Sequence, residues 1–200
     1  TADITLPTGW KPIGVTKDGK KDLQNGANLN VFSGIFDGNN HTVTIPEGGL
    51  PLFGYVQNTR IRNLNIYGTK IAGYGLVNNF EGVGLSGTAV EIDNVTLKSG
   101  SSTLKAGLLG ANKTMSPYAG CSSSFEATVR NCTIEKDVVI GYDKDMNEIG
   151  AIAGRMQGTV ENCVSYATVY GSSYVGGIIG TRDNAMGNCS VIGCKFYGTV

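Results

Sequence analysis

A six-residue phrase returns five times along the chain and restricts the fold more than any other feature. It reads Ile61-Arg-Asn63-Leu64-Asn-Ile66, Ile92-Asp-Asn94-Val95-Thr-Leu97, Val129-Arg-Asn131-Cys132-Thr-Ile134, Val160-Glu-Asn162-Cys163-Val-Ser165 and Val191-Ile-Gly193-Cys194-Lys-Phe196. Successive copies begin 31, 37, 31 and 31 residues apart. A near-constant period of this size marks a repeat architecture, in which each unit buries its apolar face against its neighbours.

Positions one, four and six of the phrase are apolar in nearly every copy. Four and six are separated by two, the strand period, whereas one and four are separated by three. The residue that breaks the alternation is position three, which is Asn in four copies and Gly193 in the fifth. Asn and Gly tolerate the left-handed conformation best, so the phrase predicts a strand, a left-handed bend and a second strand. Stacked coils place Asn63, Asn94, Asn131 and Asn162 above one another at about 4.8 Å, with their amides free to bond along the stack. The expectation is that this bend points inward.

A second phrase pairs Gly with apolar residues: Pro51-Leu52-Phe53-Gly54, Gly107-Leu108-Leu109-Gly110, Ala151-Ile152-Ala153-Gly154 and Gly177-Ile178-Ile179-Gly180, with a weaker copy at Gly75-Leu76-Val77-Asn78. It reads as another strand of the coil between tight turns. Each coil then holds two or three short strands and no helical periodicity. The fold class expected is all-β: a single-stranded right-handed parallel β-helix, or solenoid. A leucine-rich repeat needs more Leu and an Asn after its strand, where here Asn precedes one. Residues 1–30 fit no repeat and are expected to cap the first coil, shielding open strand edges. Residues 31–200 are the coils, expected to continue past Val200. Polar loops are expected at Met115 to Ser124, Tyr142 to Glu148 and Thr181 to Gly187.

Composition narrows the function. Lys and Arg balance Asp and Glu at 16 each, so no basic footprint for nucleic acid is present. Charged residues are 16% against roughly 25% in average usage, and Gly is 30 of 200. No apolar run reaches the roughly 18 residues that span a bilayer, so membrane insertion by this segment is not expected. The chain begins at Thr1 without a Met-initiated signal peptide, as expected of a processed or trimmed chain.

Trp10-Lys-Pro12-Ile13-Gly14, Phe32-Ser-Gly34-Ile-Phe36-Asp37-Gly38-Asn39-Asn40-His41-Thr42-Val43 and Leu52-Phe53-Gly54-Tyr55-Val56, followed by Ile61-Arg-Asn63-Leu64, carry a resemblance. This order resembles the repeat-containing surface proteins of bacteria that bear the GLUG motif, segments of which occur in large adhesins. The resemblance implies an extracellular or cell-surface β-helical module. It implies no catalytic residue, because the motif is structural.

Several residues are candidates for chemistry. Cys132, Cys163 and Cys194 share position four, and a buried thiol ladder is the expectation. Three sulfurs in a row do not converge tetrahedrally, so no metal site is expected there. Cys121 and Cys189 lie outside the phrase and could pair. Asp143-Lys-Asp145-Met-Asn147 begins like a calcium loop, but its sixth position is Glu148 and its twelfth Gly154, which favours a solvated turn. His41 is the single His and sits in a turn, where a structural hydrogen bond is expected. Position seven of the phrase holds Tyr67, Lys98, Glu135, Tyr166 and Tyr197, an outward column. With Tyr170 and Tyr174 nearby, its tyrosines form a candidate platform for sugar rings. Asn94-Val-Thr and Asn131-Cys-Thr match the glycosylation sequon, read as accidental if the bend is inward.

No register stacks acids, so no catalytic residue, metal or cofactor is expected. The function expected is a non-catalytic extracellular β-helical surface module, an adhesin-like scaffold or binding module of a larger bacterial protein. The alternative is a carbohydrate-binding or carbohydrate-cleaving β-helix. The partner expected is a glycan or a host or bacterial surface protein.

Overall fold

The structure, a computed structural model, describes residues 2–14, 32–80, 90–111, 127–182 and 189–200. Among the described residues it is all-β, with no helix. No helix in it is long and apolar enough to cross a membrane. The strand pairings are parallel throughout.

The pairing follows the repeat. Position one stacks as Ile61, Ile92, Val129, Val160 and Val191. Position six stacks as Ile66, Leu97, Ile134, Ser165 and Phe196. The second phrase stacks beside it as Phe53, Val77, Leu109, Ala153 and Ile179, which includes the weaker copy. Side chains at phrase positions one, four and six point into one continuous core. Ile61, Ile66, Ile92, Val95, Leu97, Val129, Cys132, Ile134, Val160 and Cys163 have no solvent exposure. Each large aliphatic buried this way contributes about 1.5–3 kcal/mol. Ser165 is the polar exception at position six, and its hydroxyl accepts the Ala167 N–H at 3.2 Å.

Position three adopts the left-handed conformation in every copy, with φ of 52° at Asn63, 53° at Asn94, 55° at Asn131, 52° at Asn162 and 62° at Gly193. The expected inward direction is wrong: Asn94, Asn131 and Asn162 are exposed and Asn63 is half-buried. A left-handed corner carries its own side chain on the outside and lets positions one and four, three residues apart, both point in. A primary amide also loses free energy in an apolar interior without full hydrogen bonding. The sequon matches at Asn94 and Asn131 therefore sit on the surface.

Coils contain more strands than expected. Two successive ones carry five each: Ala127–Arg130, Thr133–Ile134, Val139–Ile140, Asn147–Gly150 and Ala153–Met156, then Gly158–Glu161, Val164–Ser165, Thr168–Val169, Ser173–Gly176 and Ile179–Arg182. Val139–Ile140 pairs with Ser102–Thr103 and Thr168–Val169, and Asn147–Gly150 pairs with Ser173–Gly176. The loop expected over Tyr142 to Glu148 therefore ends at Met146. The strand Ile179–Arg182 takes the first two residues of the loop expected at Thr181 to Gly187, and the remainder lies outside the described residues.

An additional unit precedes the first phrase. Phe36 pairs with Ile61 and Val43 with Ile66, so Gly38 and Asn39 are two extra residues at its corner. Ile4–Thr5 adds in front of Val43 and Thr44, and Ile13 bridges to Phe53. Of the segment expected to cap the first coil, residues 15–30 lie outside the described residues, as does the Met115 to Ser124 loop.

Candidate functional site

Position two, directly outside the bend, carries a pattern that the sequence reading missed. Asp37, Arg62, Asp93, Arg130 and Glu161 are paired neighbours in that order, so charge alternates from rung to rung. Arg62 Nε lies 2.8 Å from Asp37 Oδ2, and Arg130 Nε lies 3.1 Å from Asp93 Oδ2. Two residues earlier, Arg60 Nε meets Glu91 Oε2 at 2.5 Å. The Asn39 N–H, followed by Asn63 and Arg62, holds the Asp37 carboxyl below its usual range. Burial raises Asp93, but hydrogen bonds from Asn131 and Arg130 outweigh it and leave that carboxyl lowered as well.

The asparagine column joins this charge column. Asn94 Nδ2 donates to Asn63 Oδ1 at 2.9 Å and more weakly to Asn40 Oδ1 at 3.4 Å. Asn40 has φ 62° and is a further member that the two-residue insertion hid from the sequence reading. Asn63 Nδ2 donates instead to Asp37 Oδ1 at 3.1 Å, and Asn131 Nδ2 to Asp93 Oδ1 at 2.8 Å. Amide-to-amide bonding thus covers only part of the stack. Elsewhere a carboxylate from the neighbouring rung is the better acceptor.

On the opposite side of the bend, position seven is outward as expected. Tyr166 and Tyr197 stack with centroids 5.3 Å apart and an interplanar angle of 18°. Their faces cover each other, so the pair does not offer two coplanar faces to a sugar chain. Tyr197 is 60% exposed and Tyr166 37%. Lys136 Nζ lies 6.0 Å from the Tyr166 centroid. Tyr67 shares the column but stands three rungs away, about 14 Å, with Lys98 and Glu135 between. Lys98 Nζ meets Glu135 Oε1 at 2.5 Å, and the Ser99 N–H donates to Glu135 Oε2 at 2.8 Å. Burial opposes ionisation of Glu135, yet these two contacts hold its pKa below the usual value.

Tyr170 and Tyr174 do not join the pair. Tyr170 follows Thr168–Val169 and carries Lys144 over its ring at 4.9 Å, while Tyr174 belongs to Ser173–Gly176 on another sheet. Tyr174 is 65% exposed with φ 54°, and its partner rung carries Glu148 with φ 59°. Matching left-handed residues on adjacent rungs mark a shared corner of the stack.

Cys132, Cys163 and Cys194 form the expected column as free thiols. The Cys132 N–H donates to Cys163 Sγ and the Cys163 N–H to Cys194 Sγ, each at 3.4 Å. Burial pushes the Cys132 thiol well above its ordinary range and also raises Cys194. Cys189 pairs in register with Gly158, whereas Cys121, its expected partner, lies outside the described residues.

The remaining candidates are structural contacts. His41 Nδ1 lies 3.5 Å from Asp3 Oδ1, which also accepts the Thr42 N–H at 2.8 Å, tying the N-terminal strand to the turn. Asn147 Oδ1 accepts the Ser172 and Ser173 hydroxyls at 2.6 and 2.8 Å, and Asp143 and Asp145 face solvent. Among the described residues no group of His, Cys, Asp or Glu converges as a metal site. A cavity of about 260 Å³ lies at Gly34, Ile35, Asn58, Thr59, Arg60 and Glu91.

Chain length varies at one corner, where the second-phrase stack leads into the first. Val56 and Thr59 bound a tight connection there, as do Met156 and Gly158. The pairs Phe80 and Val90, Ala111 and Ala127, and Arg182 and Cys189 bound longer ones. Comparison with family models, with curated proteins and with solved structures gives no match to this chain.

Proposed function

We propose that the chain is a right-handed parallel β-helix, capped by residues 1–30, acting as a non-catalytic extracellular surface module. In this reading it is an adhesin-like scaffold or binding module of a larger bacterial protein with GLUG-like repeats. The observation that carries it is the uniformity of the stack: five successive copies hold the same bend at φ between 52° and 62°. A solenoid of this kind keeps outward residues at fixed intervals and tolerates insertions at its corners. Those properties suit surface display more than a single enclosed pocket. The concentration of longer connections at one corner supports the reading.

Glycan binding is the second reading, favoured by the exposed Tyr166–Tyr197 stack. Tyr197 is the more exposed ring of the pair, and the ring edges are available alongside.

One experiment separates them. The purified chain is incubated with immobilised plant, host and bacterial polysaccharides and with intact host cells, calcium present, and both retained protein and released oligosaccharides are measured. Retention on cells that survives Tyr166→Ala with Tyr197→Ala supports the adhesin. Retention on one polysaccharide that this double variant loses supports glycan binding. Released oligosaccharides overturn the non-catalytic assignment.

A further inference from the structure

Asp37 and Asp93, in the outward charge column, use both of their carboxylate oxygens. Asp37 Oδ1 accepts from the Asn39 N–H and from Asn63 Nδ2, and its Oδ2 meets Arg62. Asp93 accepts from Asn131 at Oδ1 and meets Arg130 at Oδ2. Glu91 differs. Arg60 Nε at 2.5 Å and Arg130 Nη2 at 3.7 Å both approach its Oε2, and no described residue bonds its Oε1. Arg60 in turn uses only Nε, which leaves both of its Nη groups without a hydrogen bond among the described residues. A guanidinium edge and a carboxylate oxygen thus stay open side by side, each anchored by the same ion pair.

Both groups line the cavity of about 260 Å³. The backbone shapes its other walls. Phe32 pairs with Val56 and Gly34 with Thr59, so the strand Phe53–Gly68 carries one extra residue between them. A bulge of this kind re-aims the side chains beside it. Asn58, at φ 46°, is exposed on this bulge, and its side-chain amide has no hydrogen bond among the described residues. Ser33 Oγ donates to the Asn58 carbonyl at 3.3 Å, and Thr59 Oγ1 donates to the Gly34 carbonyl at 2.7 Å, which pins the bulge from both strands. A Cβ at Gly34 would meet no atom within 4 Å, so the wall is open there, and Ile35 beside it is 67% exposed.

This combination selects a neutral ligand that both donates and accepts. An anion drawn to Arg60 meets the Glu91 charge beside it, and a cation drawn to Glu91 meets Arg60. At surface screening each such repulsion is about 4 kcal/mol at 4 Å, as large as the attraction. A hydroxyl escapes the conflict: its oxygen accepts from an Arg60 Nη while its proton goes to Glu91 Oε1. A second, adjacent hydroxyl reaches the Asn58 amide, and Ile35 offers aliphatic surface to ring C–H groups. The volume falls below the roughly 300–1,000 Å³ of pockets that take drug-sized ligands, which limits the occupant to a single ring.

We propose that this cavity binds one neutral pyranose ring through adjacent hydroxyls, as a free sugar or as the end residue of a glycan. The proposal shares only its ligand class with the glycan reading above and needs neither Tyr166 nor Tyr197.

The test is a nuclear magnetic resonance titration of the isotope-labelled 200-residue chain. The probes are glucose, galactose and mannose, their methyl pyranosides, and galacturonate and glucosamine as charged counterparts. At least one neutral hexose should shift the Gly34 and Ile35 amides and the Asn58 side-chain amide saturably. Galacturonate and glucosamine should bind more weakly. Binding of the methyl pyranoside as well supports a glycan end, and binding of the free hexose alone supports a free sugar. Asn58→Gly keeps the left-handed corner and removes only the amide, and Ile35→Ser changes an exposed side chain. Each should raise Kd, the first about tenfold, with signals elsewhere unchanged. Glu91→Gln should reverse the preference towards galacturonate, which a merely structural role for Glu91 does not predict. The Tyr166→Ala, Tyr197→Ala double variant should titrate like the parent. No saturable shift at these three groups with any neutral hexose overturns the proposal, as does galacturonate binding the parent as tightly as the neutral ring. Shifts that disappear in the tyrosine double variant overturn it in favour of the Tyr166–Tyr197 pair.

Discussion

Replacing Asn131 isolates the conformational demand of the bend. Its φ is 55°, its side chain is exposed, and its Nδ2 donates to Asp93 Oδ1 at 2.8 Å. Leucine in the left-handed conformation costs about 1–2 kcal/mol. Losing a partly exposed hydrogen bond to a carboxylate adds about 0.5–1 kcal/mol. Asn131→Leu should therefore destabilise the protein by about 2 kcal/mol. Glycine meets no penalty at this φ, so Asn131→Gly loses the hydrogen bond and a little unfolded-state entropy, about 1 kcal/mol together. Gly193 shows that the stack accepts glycine at this position, with φ 62°. The measurement is urea denaturation of both variants at constant m. Thr133→Leu, an outward change in a strand two residues on, serves as the reference and should stay within about 0.5 kcal/mol. If Leu at position 131 costs no more than Gly, the left-handed corner is not what fixes the residue, and the argument fails.

Three further outcomes follow from the columns. Asp37, Asp93 and Glu135 have lowered carboxyl pKa values, so their stabilisation is fully present above the unfolded values of 3.8 for Asp and 4.5 for Glu. It is lost as pH falls through the lower folded values. The denaturation midpoint should be flat from about pH 7 to 5 and decline below about 4; an Asp93→Asn variant that declines as steeply as the parent would contradict the assignment. Under native conditions an alkylating reagent should modify Cys194 well before Cys132 and Cys163, as read by peptide mass mapping; simultaneous loss of all three would refute a buried column. Exchanging charges with Asp93→Arg and Arg130→Asp keeps the local pair but sets Arg against Arg62 and Asp against Glu161. It should lower the midpoint, and rising salt should shrink the deficit; salt-independence would show that the column is not electrostatic.

What could be read from the sequence was what one rung determines alone. Apolar residues at positions one, four and six report a core face, and an Asn that alternates only with Gly reports a left-handed corner. The direction of that corner was misjudged because spacing says which neighbours turn in, not where the bend's own side chain goes. Strands as short as Val139–Ile140 have no periodicity to detect. Asn40 was hidden because Gly38 and Asn39 lengthen its corner by two residues. Tyr166, Tyr170 and Tyr174 looked like one patch at a spacing of four. A side of this coil holds only two to four paired residues before it bends, so that spacing scatters them over three sheets.

The charge alternation has a meaning only between rungs, and it answers a problem that the other columns create. Copies that begin 31 or 37 residues apart, with the same apolar positions and the same bend, would also stack if one coil were skipped. The core would remain apolar and the corners would still match. Position two distinguishes the two outcomes. In the native order Arg62 lies between Asp37 and Asp93, and Arg130 between Asp93 and Glu161. Skipping any one coil sets Asp37 on Asp93, Arg62 on Arg130 or Asp93 on Glu161. Two like charges at the rung spacing of about 4.8 Å repel by about 1 kcal/mol even in water-like surroundings, where the native pairs attract. The side chains are partly exposed, so each native pair adds little to stability. Their effect is on the difference between correct and slipped stacks, which grows with every coil displaced. A repeat chain whose core cannot tell its own copies apart thus carries its register on the outside.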